Sequence, residues 1–317
     1  MNNPLEFLLT KKSVAILPHI NPDWDALGSS LALRTILRSA NIKADVIMPE
    51  KLSYHLGFMN SDVLVYDENE TYTYDVFCAV DVSTIDRLGD RRVLFENAKE
   101  TAWIDHHLSD EVYSPVSRVN SQASSAAEVI YTLMKELGME VDKEVGTYLY
   151  CALTSDTGSF RYANTTLVAA QLLHDIILAG VDIPYLANQL YYRGTFAQMK
   201  LRAAAVNTIE LYENEKVGIA FITKEMIEKS GAERSDAGAL SDLPRGIDTV
   251  RVSAVIKEED DGFSKVSFRS KGEYNVEKIA AVFGGGGHEK AAGATIEGSV
   301  TSVRDLILPY LTEAVTQ

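Results

Sequence analysis

The residues best equipped for chemistry in this chain are aspartates and histidines that recur after apolar runs. His19, Asp23 and Asp25 lie in HINPDWDALGS, directly after VAIL. Asp81 closes DVFCAV; Asp105, His106 and His107 close TAWI; Asp156 follows YLYCALTS. Read as strand ends of an α/β sheet, these positions border the crevice where ligands and catalytic groups collect. Carboxylate oxygens and neutral imidazole nitrogens suit Mn²⁺, Mg²⁺ or Fe²⁺ better than the thiol-rich sites of structural zinc. Carboxylates and imidazoles so placed together read as the signature of a two-metal hydrolase. Asp81, at the end of a strongly apolar run, has the central place that a shared carboxylate needs.

Each residue also has a plainer reading. Asp25 is well placed to cap the helix that follows. Asp81 by itself reads as a turn cap, and Asp156, ahead of Gly158, as an ordinary Asx-turn. The triplet Asp105-His106-His107 is more specific, because adjacent histidines at a strand end rarely serve packing. Their side chains cannot all point one way, so we assign His106 to metal and His107 to the substrate phosphate or leaving group. Asp105 then orients an imidazole. In GGGGHEKAAG, residues 284–293, consecutive glycines expose backbone N–H groups that can approach an anion or nucleobase closely. His288 adds a donor there, and the helix-like residues after it would aim a helix N-terminus at the same anion. Arg269 and Ser270, at a strand end, are further candidates for a phosphate contact.

The elements that position these groups follow from the hydrophobic pattern. Strands are expected at residues 14–17, 44–48, 76–80 and 101–104. Helices are expected at 26–39, 126–137, 143–153 and 167–179. This alternation predicts a mainly parallel sheet flanked by helices. Residues 196–212 lack Gly and Pro and read as one long connecting helix. Three strand-like runs and helices at 276–282 and 300–314 then predict a smaller α+β domain, with residues 258–262 forming a hairpin turn. The expected division is a metal-binding catalytic domain over 1–190, a helical linker over 191–212 and a substrate-binding domain over 213–317. The active site is expected in the cleft between the lobes.

Composition narrows the partners. The 317 residues are 46% hydrophobic and 24% charged, ordinary for a protein with a full core. No apolar run approaches the roughly 20 residues needed to span a bilayer. The N-terminus lacks the marks of a secretory signal, so a cytoplasmic protein without membrane contact is expected. Cys78 and Cys151 lie in apolar runs and read as buried thiols. The net charge of −15 argues against long duplex nucleic acid, which is gripped by basic surfaces. Short phosphorylated substrates stay open, because two divalent cations bring their own positive charge.

Taken together, these residues resemble the DHH phosphoesterase family, whose naming triplet stands here as Asp105-His106-His107. HINPDWDALGS, Asp81 and SDTGSFRY match its N-terminal motifs, and Arg269-Ser270 with GGGGHEKAAG match the associated C-terminal domain. The compact two-domain length resembles the nanoRNase and 3′-phosphoadenosine 5′-phosphate phosphatase branch. That resemblance implies hydrolysis of short single-stranded oligonucleotides or linear dinucleotides such as pApA and pGpG, and of pAp. It implies two divalent ions, Mn²⁺ favoured over Mg²⁺, Co²⁺ or Fe²⁺, held by His19, Asp23, Asp25, Asp81, His106 and Asp156. It also implies a substrate grip at Arg269, Ser270, Gly285, Gly286, Gly287 and His288. A homodimer is compatible with this organisation. Rival readings are an inorganic pyrophosphatase and a non-catalytic dinucleotide sensor. Two positions depart from the family: Trp24 where Gly is usual, and Asp110 where Asn is common.

Overall fold

The computed structural model describes residues 3–52, 56–59, 62–108, 111 and 113–316. Asp110, one of the two departures from the family pattern, lies outside them. The chain divides into two units, Met1–Arg193 and Gly194–Gln317.

In the first unit six strands form one sheet: β1 (Ser13–Leu17), β2 (Lys43–Met48), β3 (Leu64–Val65), β4 (Val76–Val80), β5 (Thr101–Asp105) and β6 (Ser117–Val119). Their order is β3-β2-β1-β4-β5-β6 and every pairing is parallel. Parallel strands need crossovers and have both faces covered, so β1 and β4 carry buried apolar residues at nearly every position. The helices are α1 (Pro4–Leu8), α2 (Trp24–Ser39), α3 (Arg92–Glu96), α4 (Ala126–Glu136), α5 (Lys143–Asp156), α6 (Leu167–Leu178) and α7 (Ile183–Tyr191). One face of the sheet is covered by the larger core, which contains Leu27, Leu31, Ile104, Leu149 and Leu153; the other, around Leu17, Phe77 and Trp103, is smaller. Strand order reverses direction between β1 and β4. At that switch point the two chains leaving the sheet diverge and open a crevice beyond its carboxyl edge.

The second unit opens with α8 (Phe196–Val206), which buries Leu201 and Ala205 against this unit's own strands and helices. The expected long helix stops there. Residues Glu210–Tyr212 form β7, paired antiparallel with β8 (Val217–Ile222), because the sheet edge takes up their backbone groups. After β8 come α9 (Lys224–Ser230), β9 (Val252–Glu258), β10 (Phe263–Ser270), α10 (Glu277–Val282), β11 (Gly286–His288), β12 (Ala291–Glu297) and α11 (Val300–Thr316). The sheet order is β11-β12-β10-β9-β8-β7, and the tight turn joining β9 to β10 lies at residues 259–262. The stretch after His288 is strand β12, not the helix that its alanines suggested. Antiparallel pairing with β10 along seven residues overrides local propensity. Among the described residues no single helix is long and apolar enough to cross a membrane.

Candidate metal centre

The site is assembled from four segments of the first unit. Beyond β1, His19 is buried, and its Nδ1 lies 2.7 Å from the carbonyl oxygen of Ile20. A carbonyl only accepts and the Arg87 guanidinium, 3.1 Å from the same nitrogen, only donates; the shorter carbonyl contact calls for a proton on Nδ1, the tautomer that leaves Nε2 as a donor atom for a metal. Nε2 lies 3.6 Å from Asp81 Oδ2 and 3.9 Å from Asp23 Oδ1. Asn21, in the left-handed region at φ 51°, helps turn the chain back between His19 and Asp23.

The two aspartates of this loop part company. Asp23, not Asp25, is the N-cap of α2: its Oδ1 accepts from the amides of Asp25 and Ala26. Asp25 is fully buried and reaches across the fold. Its oxygens accept from Ala126 N at 2.7 Å, Ala127 N at 3.2 Å and Ser29 Oγ at 2.9 Å. It thus sits at the positive end of α4, where a carboxylate is favoured. Asp23 caps its own helix while Asp25 meets the start of another, a division that spacing alone did not indicate.

Asp81, directly after β4, occupies the left-handed region at φ 59° and donates its amide to the Ile104 carbonyl at 3.0 Å. Its Oδ1 lies 3.4 Å from His106 Nε2 and 3.6 Å from His107 Nδ1, while Oδ2 faces His19. At the end of β5, Asp105 Oδ1 accepts from His107 Nδ1 at 2.8 Å, which fixes that ring's tautomer. His106 Nε2 lies 3.2 Å from Asp156 Oδ2 and 3.7 Å from Asp25 Oδ2. Asp156 is the last residue of α5, a helix terminus rather than a strand end. Left-handed Gly158, Ser159 and Phe160 turn the chain sharply after it. Three of the four contributing segments therefore leave strands, and the fourth leaves a helix.

The donor atoms form three groups, each within 4.8 Å: His19, Asp23 and Asp81; Asp25, His106 and Asp156; Asp81, His106 and His107. The residues fit divalent cations on a structural criterion. Asp81 Oδ1 and His106 Nε2 are buried with no hydrogen-bond partner, despite the short distances between them. Unpaired buried polar atoms are costly and call for an explanation, of which a bound ion is one. Protonation follows from the same crowding. Burial, then Asp81 and Asp156, drive Asp25 well above the usual carboxylate range. Burial alone would lower His106, but Asp156, Asp81 and Asp25 outweigh it and push it up to about 12. Burial alone would raise Asp81, yet His106 and His19 hold it below the ordinary carboxylate range. A proton on His106 stands in for positive charge that the carboxylates demand.

Arg87 is a neighbour that the sequence did not announce. Its carbonyl accepts from Ile20 N at 2.8 Å and its Nη2 lies 3.1 Å from His19 Nδ1. No local motif marks it; it arrives in the 3-10 segment Ile85–Arg91.

In the second unit Arg269, the penultimate residue of β10, lies beside Asp242, while the buried hydroxyl of Ser270 donates to the Tyr274 carbonyl at 2.7 Å. Gly285 leaves no room for a side chain: a Cβ there would lie 2.1 Å from the carbonyl oxygen of Gly293. Gly286, Gly287 and His288 form β11, the edge of the sheet, paired on one side with β12. Its outer side keeps backbone groups that no neighbouring strand takes.

Known proteins share both units. Residues 13–153 match the DHH family, N-terminal domain, and residues 214–316 match the DHHA1 domain. The bifunctional oligoribonuclease and PAP phosphatase NrnA of Bacillus subtilis is 31% identical over 281 residues, covering 88% of this chain and 87% of that protein. Its Thermus thermophilus counterpart is 28% identical, covering 90% and 84%. The crystal structure of an exopolyphosphatase-related protein from Bacteroides fragilis superposes with a TM-score of 0.92 at 24% identity, over 98% of this chain and 96% of that one. With the triplet Asp105-His106-His107 at the heart of a carboxylate–imidazole cluster, and both domains matched, the chain belongs to the DHH family.

Proposed function

We propose that this protein is a metal-dependent phosphoesterase that hydrolyses short oligonucleotides and linear dinucleotides such as pApA or pGpG to mononucleotides, and pAp to AMP. The observation that carries this reading is the carboxylate–imidazole cluster of the first unit, in which Asp81 Oδ1 and His106 Nε2 are buried and find no hydrogen-bond partner among the described residues. The likeness to the oligoribonuclease and PAP phosphatase of Bacillus subtilis supports the choice of substrate.

His19, Asp23, Asp25, Asp81, His106 and Asp156 would hold two cations, Mn²⁺ being the favoured one, with Asp81 common to both. When bound, such ions lower the pKa of water and neutralise charge on phosphoryl oxygens. The protein's own groups do the rest. His107, its Nδ1–H held by Asp105, would donate a hydrogen bond or proton from Nε2 to the leaving oxygen when the ring is protonated. In the second unit Arg269, the outer backbone of Gly286 and Gly287, and His288 would hold the remainder of the nucleotide, with Gly285, whose amide donates to the Ala280 carbonyl, turning the chain into that edge. Carboxylates dominate the first unit's cluster and the chain carries −15 overall, so a polyanionic substrate depends on local cations and on these donors. The buried thiols Cys78 and Cys151, neither in a disulfide, agree with a cytoplasmic setting.

The test is turnover of pApA with Mn²⁺. His106→Ala and Asp81→Ala should each lower kcat by at least about a thousandfold, as loss of a group essential to a catalytic unit does. Retained turnover in both would defeat the metal assignment. Pyrophosphate hydrolysed faster than pApA would favour a pyrophosphatase, and tight pApA binding without turnover would favour a sensor.

A further inference from the structure

In the second unit, Asp242 lies in the turn between the 3-10 segments Arg234–Leu240 and Pro244–Gly246. Its two oxygens face two different arginines. Oδ1 lies 3.0 Å from Nε of Arg269, and Oδ2 accepts from Nη2 of Arg245 at 3.1 Å. Arg269 also donates Nη1–H to the Phe268 carbonyl at 2.9 Å and Nη2–H to Ser241 Oγ at 3.1 Å. Two guanidinium nitrogens thus donate hydrogen bonds, and Nε lies against the buried Oδ1 of Asp242 as an ion pair without hydrogen-bond geometry, which together hold a long and otherwise flexible side chain. A guanidinium has five N–H donors. With Nε turned to Asp242 and one bond made by each terminal nitrogen, one N–H on each terminal nitrogen has no partner among the described residues. Two coplanar N–H groups are what a phosphate accepts bidentately. Two guanidinium charges share one carboxylate, so these three side chains keep a surplus of one positive charge.

We propose that Asp242 is a positioning residue for substrate. It orients Arg269 and draws Arg245 to the same place, so that the second unit presents a preformed cradle for a phosphate group of a short nucleotide. Asp242 does not touch the phosphate, which its own charge would repel; it acts through Arg269. The proposal rests on the reading of Arg269 as a substrate contact.

The experiment compares the full-length wild type with R269A, D242A, D242N and the double variant R269A/D242A, on pApA with saturating Mn²⁺. Melting temperatures confirm that each variant folds. D242A should raise KM about tenfold and change kcat by less than about twofold, as expected of a lost binding contact. D242N keeps an amide oxygen opposite Nε and should bring KM back to within about threefold of wild type. R269A should raise KM at least as far as D242A, and adding D242A to R269A should change nothing further, because the two act as a unit. If D242A does not fold, D242S carries the same comparison. A raised KM in R269A with an unchanged or lower KM in D242A overturns the proposal and leaves the phosphoesterase reading intact. No effect in R269A removes Arg269 from the substrate site, and the proposal falls with it.

Discussion

Trp24 is the first residue of α2, next to the Asp23 cap, and its surroundings indicate what the indole does. The ring is half-buried, packed on the core, with its centroid 5.0 Å from that of Phe58 at an interplanar angle of 45°. A ring already held on one side by another aromatic works as a wall of the loop, contributing packing area and about 0.5–1.5 kcal/mol from the aromatic pair. Trp24→Gly should therefore destabilise the protein by about 2–4 kcal/mol in urea unfolding, while the preference for pApA over pAp stays within about threefold. A larger change in preference would show that the indole touches the nucleotide instead. The tandem histidines were legible from type and order alone, since few packing roles need them. Their partners were less so: nothing in Asp105-His106-His107 says that Asp105 holds His107 while His106 turns to Asp156. Those choices depend on ring directions set by β5 and α5.

At the scale of elements, α2 with its Asp23 cap and α5 carry three of the proposed ligands and pack close together. Gly28 makes that approach possible, for a Cβ there would lie 2.6 Å from the Tyr148 carbonyl oxygen and 3.0 Å from the Ala152 Cβ. The carbonyl belongs to helix backbone and cannot move aside cheaply. Gly28→Ala should thus force the helices apart, costing about 1–3 kcal/mol of stability despite alanine's better helix propensity. Because Asp23 and Asp25 begin α2 and Asp156 ends α5, the same substitution should weaken Mn²⁺ binding several-fold in a calorimetric titration. Unchanged affinity would mean that the loops, not the helix pair, set the ligand spacing. Most elements of the first unit were readable from periodicity, because buried parallel strands and amphipathic helices leave strong patterns. The errors came where pairing partners decide: residues 210–212 and the alanines of β12 became strands because a neighbouring edge was there to take them.

For the whole molecule, each unit encloses its own core, and the candidate metal cluster found among the described residues lies in the first. Ions that bind the folded cluster and not the unfolded chain should stabilise that unit by about 2.7 kcal/mol at a hundredfold excess over Kd. For a unit of this size that corresponds to a rise in melting temperature of about 5–10 °C, which EDTA should reverse. Scanning calorimetry of the wild type and of Asp81→Ala checks this: the variant should lose most of the Mn²⁺-dependent shift. An equal shift in Asp81→Ala would place the stabilising ion elsewhere.

The sequence by itself determined which chemistry is available: carboxylates and imidazoles after apolar runs, a glycine-rich segment, and an α/β pattern to carry them. Those are properties of residue type and spacing, and they persist whatever the chain does at long range. Tertiary structure decided who faces whom. His19 meets Asp81 because β1 and β4 are neighbours at the switch point, although 62 positions separate the two residues. Asp25 reaches the start of α4 from 101 positions away, and Asp242 gathers Arg245 and Arg269 across a turn and a strand. Such meetings depend on strand order and helix packing, which no local pattern encodes.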